Sequence, residues 1–182
     1  ERTGQQLSSA RTWRIDVALK PLVAECGLAT IDQLVQRWRA GKDAAMGDRI
    51  VDALLNQETS FFRDPGIIDT FAEAVLARGT GSLRLWSAGC AFGQEPLSLA
   101  MAFAERGAAA EVIASDVSPG ALARARAGRY SQFEIQRGLP VTRMLRWFEQ
   151  AGSDWVAVPA LRAQISYRRH NLATDPPPAG RF

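Results

Sequence analysis

The chain has 182 residues, 47% of them hydrophobic, enough to bury a substantial core and to form one domain plus a smaller one. No apolar run approaches the ~20 residues that cross a bilayer, and the opening Glu1-Arg-Thr-Gly-Gln-Gln lacks a signal-peptide core, so no direct membrane insertion is expected and, if the chain keeps its natural start, the cytoplasm is the expected compartment. The formal charge of +3 is modest, Cys26 and Cys90 read as reduced interior thiols, and with His170 as the single histidine no metal site is expected.

In chain order, residues 1–62 read as a small all-α domain. An early helix carries Trp13, Val17 and Leu22 around Pro21. Thr30 and Gln33 form a capping box, Ile31, Leu34, Val35 and Trp38 follow helical spacing, and Gly41 ends that helix. A third helix carries Met46, Ile50, Val51, Leu54 and Leu55. These stripes are expected to be core.

Next comes Asn56-Gln-Glu-Thr-Ser-Phe-Phe-Arg-Asp-Pro. Asp64 and Pro65 suit the start of a helix through Ile68, Phe71 and Val75 to Gly79, and Phe61 and Phe62 have the character of packing residues between domains. Thr59 and Arg63 have no evident structural task, which points to a ligand-facing loop.

Leu83, Leu85 and Trp86 lead as a strand into Gly89-Cys-Ala-Phe-Gly93 and a helix from Pro96 to Arg106. The G-x-x-x-G spacing is neither a dinucleotide fingerprint nor a P-loop, and suits a ligand with an adenosine but no phosphates. A second strand, Glu111-Val-Ile-Ala-Ser, ends on Asp116, 27 residues after Gly89. An acid there takes ribose hydroxyls in doubly wound sheets, or else caps the next helix, for which Ser118 before Pro119 is the better residue.

Residues 121–150 hold six arginines against two glutamates, a net +4, read either as a patch for an acidic partner or as a solvated helical face. Arginine outnumbers lysine twenty to two throughout, so no single arginine is a strong clue. A helix is expected from Thr142 to Gln150, with strands at 155–158 and 163–167, the latter leading to Asn171. Thr174-Asp-Pro-Pro-Pro is a loop. The order strand, helix, strand, helix is that of a parallel α/β sheet.

Together these segments resemble the CheR family of chemotaxis receptor methyltransferases. The resemblance rests on Glu58-Thr-Ser-Phe-Phe-Arg-Asp, Trp86-Ser-Ala-Gly-Cys, Gly93-Gln-Glu-Pro-Leu-Ser-Leu-Ala-Met, Ala114-Ser-Asp-Val and Asn171-Leu172, and covers nearly the whole chain. It implies a Rossmann-like, doubly wound class I methyltransferase domain over 63–182, preceded by the helical domain. It also implies methylation of glutamates on chemoreceptors with S-adenosyl-L-methionine, giving S-adenosyl-L-homocysteine.

The cofactor-binding residues so implied are Gln57, Thr59, Arg63, Gly89, Glu95, Asp116, Asn171 and Leu172. Arg63 is the positioning candidate; no catalytic residue is assigned. Glu95 is alternatively a helix-start acid and Leu172 alternatively core. Gln57 stands where the family usually has asparagine. The chain stops at Arg181-Phe182, where the family would enter its fourth sheet strand, so a truncated sheet with an exposed edge is expected.

The implied reaction is in-line displacement at a sulfonium, giving a methyl ester. A glutamate with a pKa of about 4.3 is already ionised, so no strong base is needed and orientation and desolvation carry the rate. The expected partners are the cytoplasmic domains of transmembrane chemoreceptors, met by a monomer, with no nucleic acid. One rival is a noncatalytic module that senses the cofactor or docks on receptor arrays. Another is a nucleic-acid methyltransferase, since Asp175-Pro-Pro-Pro resembles an amino-methyltransferase motif, although Pro178 stands where a stacking aromatic belongs.

Overall fold

The computed structural model describes residues 3–4, 12–41, 43, 45–64, 66–79, 82–180 and 182. The expectations for the extreme amino terminus, for Pro65 and for Arg181 lie outside these residues. The chain divides into two compact units, Glu1–Asn56 and Gln57–Phe182. The division precedes Gln57 and does not follow Phe62, because Phe61 and Phe62 are buried in the core of the second unit.

In the first unit, helices α1 (Thr12–Glu25), α2 (Ile31–Arg39) and α3 (Met46–Leu54) enclose Leu19, Leu22, Val23, Leu34 and Met46. Thr30 caps α2, accepting from the Gln33 amide at 3.2 Å, while the Gln33 side chain reaches back to the Ala29 amide at 2.8 Å. The expectation that whole stripes are core needs correction. Trp13, Val17 and Trp38 are exposed. The buried face of α1 is set by Ile15, Leu19, Leu22 and Val23, and at 100° per residue Trp13 and Val17 fall away from it.

The second unit opens with loop 57–66 and α4 (Ile67–Leu76), whose N-cap is Gly66 at φ 89°. The expected start at Asp64 and end at Gly79 are both trimmed. A parallel sheet follows, built from β1 (Leu83–Ala88), β2 (Ala110–Asp116) and a last strand at Ile165–Arg169, in the order β1, β2, last strand. Leu83 faces Ala110 and Asp116 faces Arg169, with β2 central. Val112 to Ser115 are all buried, as a central parallel strand requires.

Helix α5 (Gln94–Glu105) is buried from Pro96 through Phe103, matching its continuous apolar sequence. It starts two residues before Pro96 because Gly93, at φ 91°, turns the chain there. Helix α6 (Pro119–Ala127) is capped by Ser118, which accepts from the Ala121 amide at 2.9 Å.

An insertion then interrupts the parallel sheet. It comprises β3 (Arg129–Ser131), α7 (Gln132–Gln136), α8 (Val141–Trp147), β4 (Phe148–Ala151) and β5 (Asp154–Ala157), with the antiparallel order β3, β5, β4. After α9 (Pro159–Arg162) the chain rejoins the parallel sheet as β6, the strand Ile165–Arg169. The expected helix to Gln150 is therefore wrong beyond Trp147. Phe148 turns inward against Phe61 and Tyr130, and Gly152 at φ 71° closes a hairpin into β5. No helix among the described residues is long and apolar enough to cross a membrane.

Candidate functional site

The carboxyl ends of β1 and β2 are joined by hydrogen bonds through an irregular turn that follows β1. Past β1, Gly89, Ala91 and Gly93 are left-handed at φ 80°, 46° and 91°. The Gly89 and Cys90 amides both donate to the Ser115 carbonyl, at 2.8 and 2.9 Å. A side chain at Gly93 would press on Ala125 and on the Tyr130 hydroxyl, so glycine is needed for space as well as conformation.

Asp116 ties this turn to the next. One carboxylate oxygen accepts from the Ala91 amide at 2.8 Å and the other from the Ser118 amide at 2.9 Å. A charge-assisted bond of this kind offsets the cost, of order 1–2 kcal/mol, of a left-handed alanine. Ser118 and not Asp116 caps α6, so the reading of Asp116 as a helix cap is set aside. Each oxygen keeps a second lone pair for a ligand hydroxyl.

Upstream, Phe62 and Asp64 are left-handed at φ 44° and 59°. The Phe62 amide donates to Ser98 Oγ at 3.0 Å, and that hydroxyl donates to the Gln94 carbonyl at 2.7 Å. Phe61 is fully buried edge-on to Tyr130 and Phe148. With both rings pointing inward, Thr59 and Arg63 are left lining a cleft of about 190 Å³ together with Gly89 and Glu95. Glu95 sits in the first turn of α5 and accepts from Ser87 Oγ at 2.7 Å.

Sequence reasoning did not single out Glu58, Asp64, Ile67 and Ile68, which also line this cleft. The signal for Glu58 and Asp64 was their position inside the motif that carries Thr59 and Arg63; Ile67 and Ile68 lie beyond it, at the start of α4. Glu58 pairs with Arg137 at 2.9 Å, whereas Asp64 and Glu95 make no ion pair among the described residues. The cleft therefore combines one guanidinium with surplus carboxylate. That suits a ligand bearing both a carboxylate and cationic groups.

The remaining sequence candidates, Gln57, Asn171 and Leu172, are not among the residues that line this cleft and lie by the carboxyl ends of β2 and β6. Gln57 donates from Nε2 to Ser118 Oγ at 3.0 Å, so its extra methylene is spent reaching the α6 cap. The His170 amide donates to the Asp116 carbonyl at 3.0 Å, which brings Asn171 and Leu172 next to the tip of β2. Asn171 Oδ1 accepts from the Ala173 amide at 3.0 Å. Leu172 is 58% exposed, which removes the core reading for it. His170 is itself packed edge-on against Trp86.

Three further observations bound the chemistry. Among the described residues no group of three His, Cys, Asp or Glu could hold a metal. A larger groove of about 670 Å³ beside β1 is mainly apolar, with Phe71, Leu83, Leu85 and Phe182 in its walls. The arginine-rich segment is mostly neutralised, since Arg124 pairs with Glu134, Arg129 with Asp154, Arg137 with Glu58 and Arg143 with Asp69 and Glu105. Its reading as an open basic patch is thereby weakened.

Cys90 is the buried residue within the glycine turn, and burial, with Asp116 nearby, pushes its thiol up to about 12. At pH 8 a thiol reagent such as 5,5′-dithiobis(2-nitrobenzoate) is expected to leave Cys90 unmodified in the native protein and to modify it on unfolding. Rapid native labelling of Cys90, mapped by mass spectrometry, would contradict this burial.

With this geometry in hand, residues 57–182 match the family described as CheR methyltransferase, SAM binding domain. The chain is 32% identical over 193 residues to chemotaxis protein methyltransferase 1 of Pseudomonas aeruginosa, covering 98% of the chain and 70% of that protein. It is 30% identical, with the same coverage, to chemotaxis protein methyltransferase Cher2 of Pseudomonas putida. To the chemotaxis protein methyltransferase of Vibrio parahaemolyticus it is 29% identical over 190 residues, covering 98% of the chain and 69% of the relative.

Proposed function

The chain belongs to the CheR methyltransferase family, and from that premise we propose that it methyl-esterifies glutamate side chains in the cytoplasmic domains of chemoreceptors, acting as a monomer in the cytoplasm. The family's cofactor, S-adenosylmethionine, supplies when bound an electrophilic methyl group on a sulfonium. The observation that carries the reading is the cleft at the sheet edge, where Thr59, Arg63, Gly89 and Glu95 converge within reach of a glycine turn fastened to Asp116.

In this reading each residue has a task of its own. Arg63, exposed and held only loosely against the Glu58 carbonyl at 3.5 Å, takes the cofactor's carboxylate. Glu95, already oriented by Ser87, faces its cationic end. Asp116 offers its two remaining lone pairs to the ribose hydroxyls, Gly89 lets the backbone approach, and Thr59 contributes a hydroxyl. Gln57, Asn171 and Leu172 flank the base. The acceptor glutamate is ionised at neutral pH, so these side chains need only orient the reactants and exclude water.

The pairing of most arginines in 121–150 supports a protein partner over nucleic acid, because few of them are left to neutralise phosphates. Incubation with methyl-labelled cofactor and receptor cytoplasmic fragments should place label on glutamates, released as methanol by mild base. Tight binding of adenosylhomocysteine without base-labile label would reject esterification in favour of a sensing role. Label on RNA or DNA would reject it in favour of nucleic-acid methylation.

A further inference from the structure

We propose that the antiparallel insertion, residues 129–157, sets the geometry of loop 57–64, with Gly138 and Arg143 as positioning residues for cofactor binding. This rests on the reading above that the loop carries Thr59 and Arg63 to the cofactor. The loop is improbable by itself: Phe62 holds left-handed backbone, which a bulky residue keeps only where its surroundings over-determine it, while Asp64, of a type that tolerates this region, is left-handed two residues on.

The insertion supplies that over-determination from three sides. The Phe61 amide donates to the Arg137 carbonyl at 3.2 Å. Gly138, at φ 91°, lies so close that a Cβ there would overlap the Phe61 carbonyl oxygen. The backbone of Arg137–Gly138 thus bonds the Phe61 amide and packs against its carbonyl, with no room for a side chain at Gly138. The Phe61 ring is enclosed by one aromatic from β3, Tyr130, and one from β4, Phe148, at 5.0 and 5.5 Å.

The next residue is held by α8. The Arg143 guanidinium lies 4.0 Å over the Phe62 ring and bonds Asp69 of α4 at 2.8 and 3.2 Å and Glu105 of α5 at 3.0 Å. Hydrogen bonding from Arg143 holds the Asp69 carboxyl below its ordinary range. The gripped pair Phe61–Phe62 lies between the two cleft residues in the chain, adjacent to Arg63 and separated from Thr59 by one residue. A displacement of the grip therefore moves both cleft residues together.

Calorimetric titration of the intact protein with adenosylhomocysteine tests this, each protein being measured at the same interval below its own melting midpoint. Gly138→Ala is expected to weaken binding roughly tenfold and Arg143→Met roughly fivefold, since ligand groups displaced by about 1 Å lose much of their effect. The control is Gly152→Ala at the far hairpin, which replaces another left-handed glycine of the same insertion, at φ 71°, with nothing within 4 Å of the added carbon. It should lose stability yet bind within about twofold of wild type.

Binding within twofold by a cooperatively melting Gly138→Ala or Arg143→Met protein overturns the proposal, as does an equal loss in Gly152→Ala. Should Gly138→Ala fail to fold, Arg143→Met decides. A wild-type protein that does not bind at all instead rejects the functional reading on which the proposal stands.

Discussion

Asp116→Ala is expected to weaken adenosylhomocysteine binding about 100-fold, equivalent to ~2.7 kcal/mol, while leaving a cooperative melt. Two losses combine. The ligand loses its ribose acceptor, and the glycine turn loses the anchor that holds the Ala91 amide at 2.8 Å in a left-handed conformation. Hydrogen bonds to charged groups contribute about 1.5–3 kcal/mol each, so either loss alone is sizeable. Fold integrity survives because the Gly89 and Cys90 amides keep their bonds to the Ser115 carbonyl and α6 keeps its Ser118 cap.

Asp116→Asn separates the two roles. An amide keeps one acceptor oxygen but turns an NH2 toward either the Ala91 or the Ser118 amide, setting donor against donor. If tethering dominates, the asparagine variant binds nearly as poorly as the alanine one, and hydrogen exchange at Ala91 accelerates in both. Affinity within threefold of wild type in Asp116→Ala would remove Asp116 from the site altogether.

Much of this framework could be read before any coordinates, and the reasons are local. α5 announces itself as a long apolar run bounded by Gly93 and Gly107, β1 by running straight into Gly89, β2 by its buried Val112-Ile-Ala stretch ending on Asp116, and α6 by the strong start Ser118-Pro119 and the stop at Gly128. β3 and β4 do not. They have three and four residues with one buried ring each, Tyr130 and Phe148, so no two-residue period exists to detect.

Contacts set by the tertiary fold were equally hidden. Arg143 looked like one more member of a basic run, yet its partners Asp69 and Glu105 lie 74 and 38 residues away in sequence. Glu95 and Thr59 share a cleft only because two phenylalanines bury themselves and turn the rest of their loop outward. Adjacency in the motif gave the loop; the burial of Phe61 gave its direction.

Phe61→Ala should accordingly be the most damaging single truncation in the second unit. The ring is fully buried and makes edge contacts with Tyr130 and Phe148, which also contact each other at 6.1 Å. Phe→Ala in such a core costs about 3–5 kcal/mol, a large part of the ~5–15 kcal/mol that stabilises a typical domain. The melting midpoint should fall by roughly 10–20 °C. The cavity cannot close by local collapse, because Tyr130 is fixed at its far end by a 2.8 Å bond from its hydroxyl to the Phe92 carbonyl. Phe133→Ala is the matched control, since that ring is 76% exposed on α7 and its loss should change stability by less than about 0.5 kcal/mol. If the two variants melt within a few degrees of each other, Phe61 is not the residue that locks the loop to the insertion. If Phe61→Ala melts early and Phe61→Leu recovers more than half of the loss, apolar volume and not ring geometry is what the site requires.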